Sequence, residues 1–268
     1  MLESVKHIVA VASGKGGVGK STVTVNLALA MAAEGYKVGL LDADIYGPSQ
    51  GQMLGIKPGT RPQMIDDKTM APIEAHGIKS MSMAYMVDIE TAMVWRGPMV
   101  SSAFQQLISQ TGWGELDYLF IDMPPGTGDI QLTLAQHVPV TGSVIVTTPQ
   151  DIALLDARKG IEMFRKVNVP VLGVVENMSL HTCSNCGHTE PVFGEGGGAR
   201  IAAQYETEVL GRLPLALSIR EQVDGGMPTV VAEPDAEVTA TFRAMARRIA
   251  EQLSTKKKES GPKISFSD

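Results

Sequence analysis

The sequence predicts an α/β fold, a mostly parallel sheet with helices on both faces. Short, wholly apolar runs recur between longer segments with helical spacing, from Ile8 to Ala12 through to Val209 to Leu213. Runs that are apolar throughout, rather than alternating, suit strands buried on both sides. The glycine-rich and acidic clusters each follow such a run, so they collect at the carboxyl edge of the sheet, where open parallel sheets bind ligands.

The first strand, Ile8 to Ala12, leads into Ser13-Gly14-Lys15-Gly16-Gly17-Val18-Gly19-Lys20-Ser21 and then a helix from Thr22 to Ala33. Strand, glycine loop and helix stand in the order a phosphate-binding loop requires, and Gly14 to Ser21 matches G-x-x-x-x-G-K-[ST] in full. Glycines let several backbone N–H groups approach one anion, and the positive end of the helix faces it. Gly14, Lys15, Gly16, Gly17, Val18, Gly19, Lys20, Ser21 and Thr22 are the candidate nucleotide-binding residues. Lys20 supplies a point charge to the β/γ-phosphates, and the Ser21 hydroxyl is placed to ligate Mg2+. The sequence thus predicts a P-loop NTPase.

Lys37 to Leu41 is a second strand ending in Asp42-Ala43-Asp44-Ile45-Tyr46-Gly47-Pro48-Ser49. Asp44 is the candidate for positioning or activating the attacking water and Asp42 for helping the magnesium shell; the plainer reading of Asp42 is a turn cap. Residues 50–72 read as an irregular surface excursion. Met81, Met83 and Met86 read as flexible filler of a core or interface. Trp95-Arg96-Gly97-Pro98-Met99 leads into a helix through Ser109, with Arg96 assigned either to phosphate or partner contact or to plain surface.

Tyr118 to Ile121 is a strand that ends in Asp122-Met123-Pro124-Pro125-Gly126-Thr127-Gly128-Asp129. An acidic residue after four apolar ones is the Walker B arrangement, with Asp122 on the magnesium or its water. The Pro-Pro-Gly run is stiff at one end and permissive at the other, so Gly126 is the candidate whose amide senses the γ-phosphate, while Asp129 caps the next helix. Ser143 to Thr147 is a strand, Asp151 to Val167 a helix with Leu154, Ala157, Ile161 and Phe164 at helical spacing, and Val171 to Val175 a strand running into Glu176-Asn177-Met178-Ser179. No guanine-specific N-K-x-D follows, which favours ATP. Val209 to Leu213 is the last strand, and Asp235 to Leu253 a helix with Val238, Phe242, Met245, Ile249 and Leu253 on one face. That face reads as domain packing rather than a basic membrane-surface helix.

Composition narrows the function. The chain has 268 residues, 44% hydrophobic and 5% aromatic, with a formal net charge of −6 and so no basic footprint for nucleic acid. No stretch is apolar over the 18 or so residues of a membrane span, and the N-terminus has no signal-peptide form, so the cytoplasm is the expected location. Residues 1–253 read as one ATPase domain with a metal-binding loop near 181–188, and residues 254–268 as a disordered tail.

The two cysteines, Cys183 and Cys186, lie within His181-Thr182-Cys183-Ser184-Asn185-Cys186-Gly187-His188. Three readings compete. A single-chain zinc site completed by His181 and His188 is cramped. A redox pair belongs at a helix start, and no helix pattern begins at Cys186. Two cysteines from each of two subunits give the four thiolates of a [4Fe–4S] cluster.

The loop with its extra lysine, K-G-G-V-G-K-S, resembles the deviant Walker A of the MinD, ParA and nitrogenase iron protein group. That resemblance implies a dimer in which Lys15 reaches the phosphates of the partner's nucleotide, as a second catalytic lysine beside Lys20. It also implies that Asn177 hydrogen-bonds the purine base. The combination S-G-K-G-G-V-G-K-S, D-A-D-I-Y-G-P-S, W-R-G-P-M, D-M-P-P-G-T-G-D, E-N-M-S, C-x-x-C and F-G-E-G-G-G is similar to the Mrp/ApbC iron–sulfur cluster carrier ATPases, over about residues 5–250. The resemblance implies a cytosolic homodimer that holds a labile [4Fe–4S] cluster between subunits and passes it to apo-proteins, coupled to slow ATP hydrolysis. Many members carry an additional N-terminal domain, and a loop beginning at Gly14 leaves no room for one, so its contacts are expected to be absent or supplied by another protein. A positioning ATPase of the MinD/ParA kind and a nucleotide-gated scaffold with structural zinc are the other two classes.

Overall fold

The computed structural model describes residues 2–86 and 97–259, so Trp95 and Arg96 lie outside the described residues. In chain order the elements are β1 (Val5–Ala12), α1 (Lys20–Ala33), β2 (Val38–Asp42), α2 (Gln50–Met53), β3 (Ile73–Ala75), β4 (Ile78–Ser82), α3 (Gly97–Gln110), β5 (Leu116–Asp122), α4 (Asp129–His137) and β6 (Gly142–Thr147). They continue with α5 (Asp151–Lys166), β7 (Val171–Glu176), β8 (His181–Thr182), β9 (Thr189–Glu190), α6 (Gly197–Gln204), β10 (Val209–Arg212), α7 (Leu217–Asp224), α8 (Thr229–Ala232) and α9 (Glu237–Glu259).

Eight strands form one sheet in the order β10-β7-β6-β1-β5-β2-β4-β3, parallel except for the β3–β4 edge hairpin. Alternation along β1 divides the core. Ile8, Ala10 and Ala12 join the layer with Phe104, Leu134, Leu154 and Ile161, whereas Val9 and Val11 join the layer of Leu27, Met31, Phe242 and Ile249. Helices α3 to α6 therefore cover one face and α1 with α7 to α9 the other. β1 begins ahead of Ile8 because Val5 and His7 already pair with Leu116 and Tyr118 of β5, the rings of His7 and Tyr118 stacking at 5.3 Å.

Helix α1 is buried almost all round, since α9 packs on its outer side with Phe242, Met245, Ile249 and Leu253. Each of those side chains contributes about 1.5–3 kcal/mol by leaving water. Arg243 and Arg247 close the helix pair on Glu34 at 2.6 and 3.0 Å. The apolar face of α9 is thus domain packing, and among the described residues no helix is long and apolar enough to cross a membrane. The helix continues past Leu253 to Glu259, so the expected tail does not start at residue 254. Met81 and Met83 fill the core as expected, on or beside β4.

Candidate functional site

The loop after β1 bends on Gly17 and Gly19, whose φ values of 80° and 81° are left-handed. Gly14 is required for another reason: a Cβ there would lie 2.1 Å from the backbone carbonyl of Asp156 in α5. Asn177, at the end of β7, donates from Nδ2 to the Val18 carbonyl at 2.9 Å, so it lies against the loop with its amide nitrogen engaged by backbone. Gly126 has φ 101° and donates its N–H to the Ser13 carbonyl at 3.0 Å, which ties the Pro124–Gly128 segment to the loop's first residue. Lys15 is half-buried, and its ammonium has no ion-pair partner among the described residues.

β1, β5 and β2 are adjacent, and Asp42 and Asp122 are partners in register, so both carboxylates leave the sheet on the side of α1. Lys20, 6% exposed, donates to Asp122 Oδ1 at 2.6 Å, stands 3.1 Å from the Ser21 hydroxyl and 3.9 Å from Asp44 Oδ2. The Thr24 hydroxyl is 3.1 Å from Asp122 Oδ1, and Gln50 Nε2 donates to Asp122 Oδ2 at 2.8 Å and to the Ser21 carbonyl at 3.1 Å. The pair costs desolvation, and these further donors offset it.

Asp42 is occupied differently. Its Oδ1 accepts from Asp44 N–H at 3.1 Å, and its Oδ2 from Ser49 N–H, Gln50 N–H and the Ser82 hydroxyl at 3.0, 3.1 and 3.2 Å. It pins the loop between β2 and α2, the cap role of the plainer reading. Burial and the Asp122 charge push its pKa up to about 7, against the pull of those donors and of Lys20. Burial also raises Asp44, with Lys20 opposing.

Among the described residues no three His, Cys, Asp or Glu side chains gather closely enough to hold a metal alone. That donor set fits Mg2+, which takes one or two protein ligands beside phosphate oxygens and keeps several waters. Ser21 offers the hydroxyl, Asp122 an outer carboxylate, and Gln50 a buried Oε1 that has no partner.

Cys183 and Cys186 sit at the tip of the β8–β9 ribbon, closed by the Cys183 N–H to His188 carbonyl bond at 2.8 Å and the return bond from Gly187 N–H at 2.9 Å. Cys186 is exposed and Cys183 half-buried. Amide N–H groups of Cys186 and Asn185 aimed at Cys183 lower its pKa, favouring the thiolate that binds metal. His181 turns its Nδ1 to the Leu215 carbonyl at 3.1 Å, and His188 is exposed. The four-ligand set of a single-chain zinc site is therefore not assembled here.

Sequence reasoning missed Gln50, Thr24 and Gln131, whose Nε2 donates to the Pro125 carbonyl at 2.5 Å. None carries a local signal, because each matters through a long-range contact. The F-G-E-G-G-G run received no role from sequence, and the structure gives it one: Gly198 N–H donates to buried Glu176 at 2.5 Å, and a Cβ on Gly197 would meet Leu154 at 2.7 Å. The glycines let α6 press onto β7 and α5.

A family model described as ParA, NUBPL iron-transfer P-loop NTPase, matches residues 4–250. The iron-sulfur cluster carrier protein of Pseudomonas fragi is 68% identical over 245 residues, covering 91% of this chain and 85% of that protein. The iron-sulfur cluster carrier protein of Escherichia coli K12 is 61% identical, covering 94% of this chain and 68% of that one. Among solved structures, a nucleotide-binding protein from Archaeoglobus fulgidus in complex with ADP superposes with a TM-score of 0.77 at 37% identity, over 90% of this chain and 93% of that one.

Proposed function

The chain belongs to the ParA-type NUBPL iron-transfer P-loop NTPases, and from that premise we propose that it is an ATP-dependent carrier of a labile [4Fe–4S] cluster, held between two copies of the chain and passed to apo-proteins. The observation that carries this reading is the cysteine pair. Two thiols stand at the tip of an exposed ribbon with no third ligand among the described residues, so a second ribbon is needed to complete four thiolates.

Hydrolysis follows from the geometry around Lys20. Its ammonium, now on Asp122, exchanges that carboxylate for the β/γ-phosphates, while Asp44 orients the attacking water and Lys15 enters the partner's site. Ser21 and Asp122 would hold Mg2+, which when bound would supply charge neutralisation of the phosphate oxygens. Gly126 N–H leaves the Ser13 carbonyl to meet the γ-phosphate, and the strain of that exchange runs through Gln131 into α4. Asn177 reads the base beside the loop it braces. One ATPase domain over residues 1–253, with the cysteine ribbon as its outgrowth, carries both roles, and free thiols suit a reducing cytoplasm.

The test is anaerobic reconstitution with iron and sulfide. A brown dimer with about two irons per chain, lost in Cys183→Ala, is the expected result. A colourless protein that takes up only zinc would remove the carrier reading and leave the ATPase.

A further inference from the structure

Gln50 is the first residue of the short α2 turn, 1% exposed, and it reaches across to the far wall of the nucleotide site. Both hydrogens of its amide are spent, on Asp122 Oδ2 at 2.8 Å and on the Ser21 carbonyl at 3.1 Å. Those two partners are pure acceptors, so the amide orientation is fixed: turning it over would set Oε1 against a carboxylate and a carbonyl. Oε1 therefore faces the other way, and there it has no donor. The nearby side chains supply none, for Asp42 and Asp122 are acceptors, and Lys20 is engaged by Asp122 and Ser21. A buried acceptor without a donor is costly, which marks it as a place where something outside the chain donates.

We infer that Gln50 is a positioning residue of the magnesium shell: its Oε1 accepts from a water of the hydrated cation while its Nε2 holds Asp122 and the Ser21 backbone in place. The inference rests on the nucleotide and Mg2+ reading above. Mg2+ gives up its waters reluctantly and is held through them, so its outer acceptors set much of a site's affinity. One amide here joins three parts of that shell, the Ser21 turn that brings the hydroxyl, the Asp122 carboxylate, and an acceptor of its own. Through its N–H on Asp42, Gln50 also ties the shell to the loop that carries Asp44. Occupancy of the metal and the position of Asp44 are thereby linked through one residue.

The experiment is titration of a fluorescent ADP analogue into the full chain, in EDTA and then against increasing Mg2+, with circular dichroism as the check on folding. Gln50→Met keeps length and burial but loses both functions of the amide. It is expected to bind the analogue in EDTA within about threefold of wild type, and to need at least about tenfold more Mg2+ for half of the metal-dependent tightening. Gln50→Leu is the second variant, which also fills the site without an amide, and it carries the same expectation. Wild-type Mg2+ dependence in Gln50→Met overturns the inference. So do wild-type Mg2+ dependence in Gln50→Leu and a defect already present in EDTA, the latter because it indicates a structural role alone. A wild-type chain that binds no nucleotide overturns the functional reading itself.

Discussion

At the scale of single residues, the site is built from charges held where they resist being. Lys20 and Asp122 are 6% and 0% exposed and 2.6 Å apart. Taking away the lysine leaves a buried carboxylate with only Thr24 and Gln50 for support, so Lys20→Ala is expected to lose nucleotide binding and also about 3 kcal/mol of stability in urea unfolding. Adding Asp122→Asn should return part of that stability and none of the binding. A double variant no more stable than the single one would show that the charge is not what costs. Asp42 gives a pH signature. Its folded pKa of about 7 lies above its unfolded value of 3.8, so the folded state holds the proton more tightly. Its contribution favours the fold at low pH and is lost as pH rises from about 4 through about 7. Asn at this position cannot answer all four donors, so Asp42→Asn is less stable by about 1–3 kcal/mol, yet the gap to wild type should narrow between about pH 5 and pH 8. A gap that widens over that range would contradict the raised pKa.

At the scale of elements, two glycines of one loop separate packing from phosphate binding. A Cβ on Gly14 runs into the α5 backbone at 2.1 Å, and backbone does not yield, whereas a Cβ on Gly16 finds only Pro125 at 3.9 Å. Gly14→Ala is expected to cost about 1–3 kcal/mol in thermal or urea unfolding and Gly16→Ala much less. Equal losses would mean that the close approach to α5 is not what selects glycine. The sequence spoke clearly about this loop because strand, spacing and helix are local, and Asp122 was legible as the acid ending an apolar run. Asp42 was legible only as a pair of alternatives, since what decides between metal and cap is whether Ser49, Gln50 and Ser82 come back to it, and Ser82 is on another strand. The β3–β4 hairpin escaped because β3 has only three residues, Ile73–Ala75, too short a run to read a period from. Helix α6 escaped because its glycines, helix breakers by propensity, are there for closeness to Glu176 and Leu154. Gln50 had no sequence signal at all. Its meaning is a bond from α2 to Asp122, on a strand distant in sequence.

At the scale of the whole molecule, the proposed sharing of one cluster would set how two copies meet at the cysteine ribbon. Two ribbons sharing one cluster through Cys183 and Cys186 would bring Leu180 and Val192, just outside each ribbon, towards the partner. Both are exposed in the single chain, at 43% and 52%, and Ile152 on α5 is exposed at 70%. An apolar residue at a two-fold interface is buried twice, once from each copy. Fully burying a leucine is worth about 1.5–3 kcal/mol, and Leu180 has 43% of its surface left to bury, so Leu180→Ser should weaken the dimer by about 1.3–2.6 kcal/mol over the two copies, or roughly tenfold to a hundredfold in dissociation constant. The substitution touches neither thiol and lies outside the ATP loop, so binding of ADP by the monomer should stay at its wild-type level. Iron retained after reconstitution should instead fall with dimer content as the protein is diluted, and sedimentation velocity at several concentrations reads both together. Full iron loading in a Leu180→Ser monomer would show that one chain holds the cluster unaided, and the shared site would have to be given up.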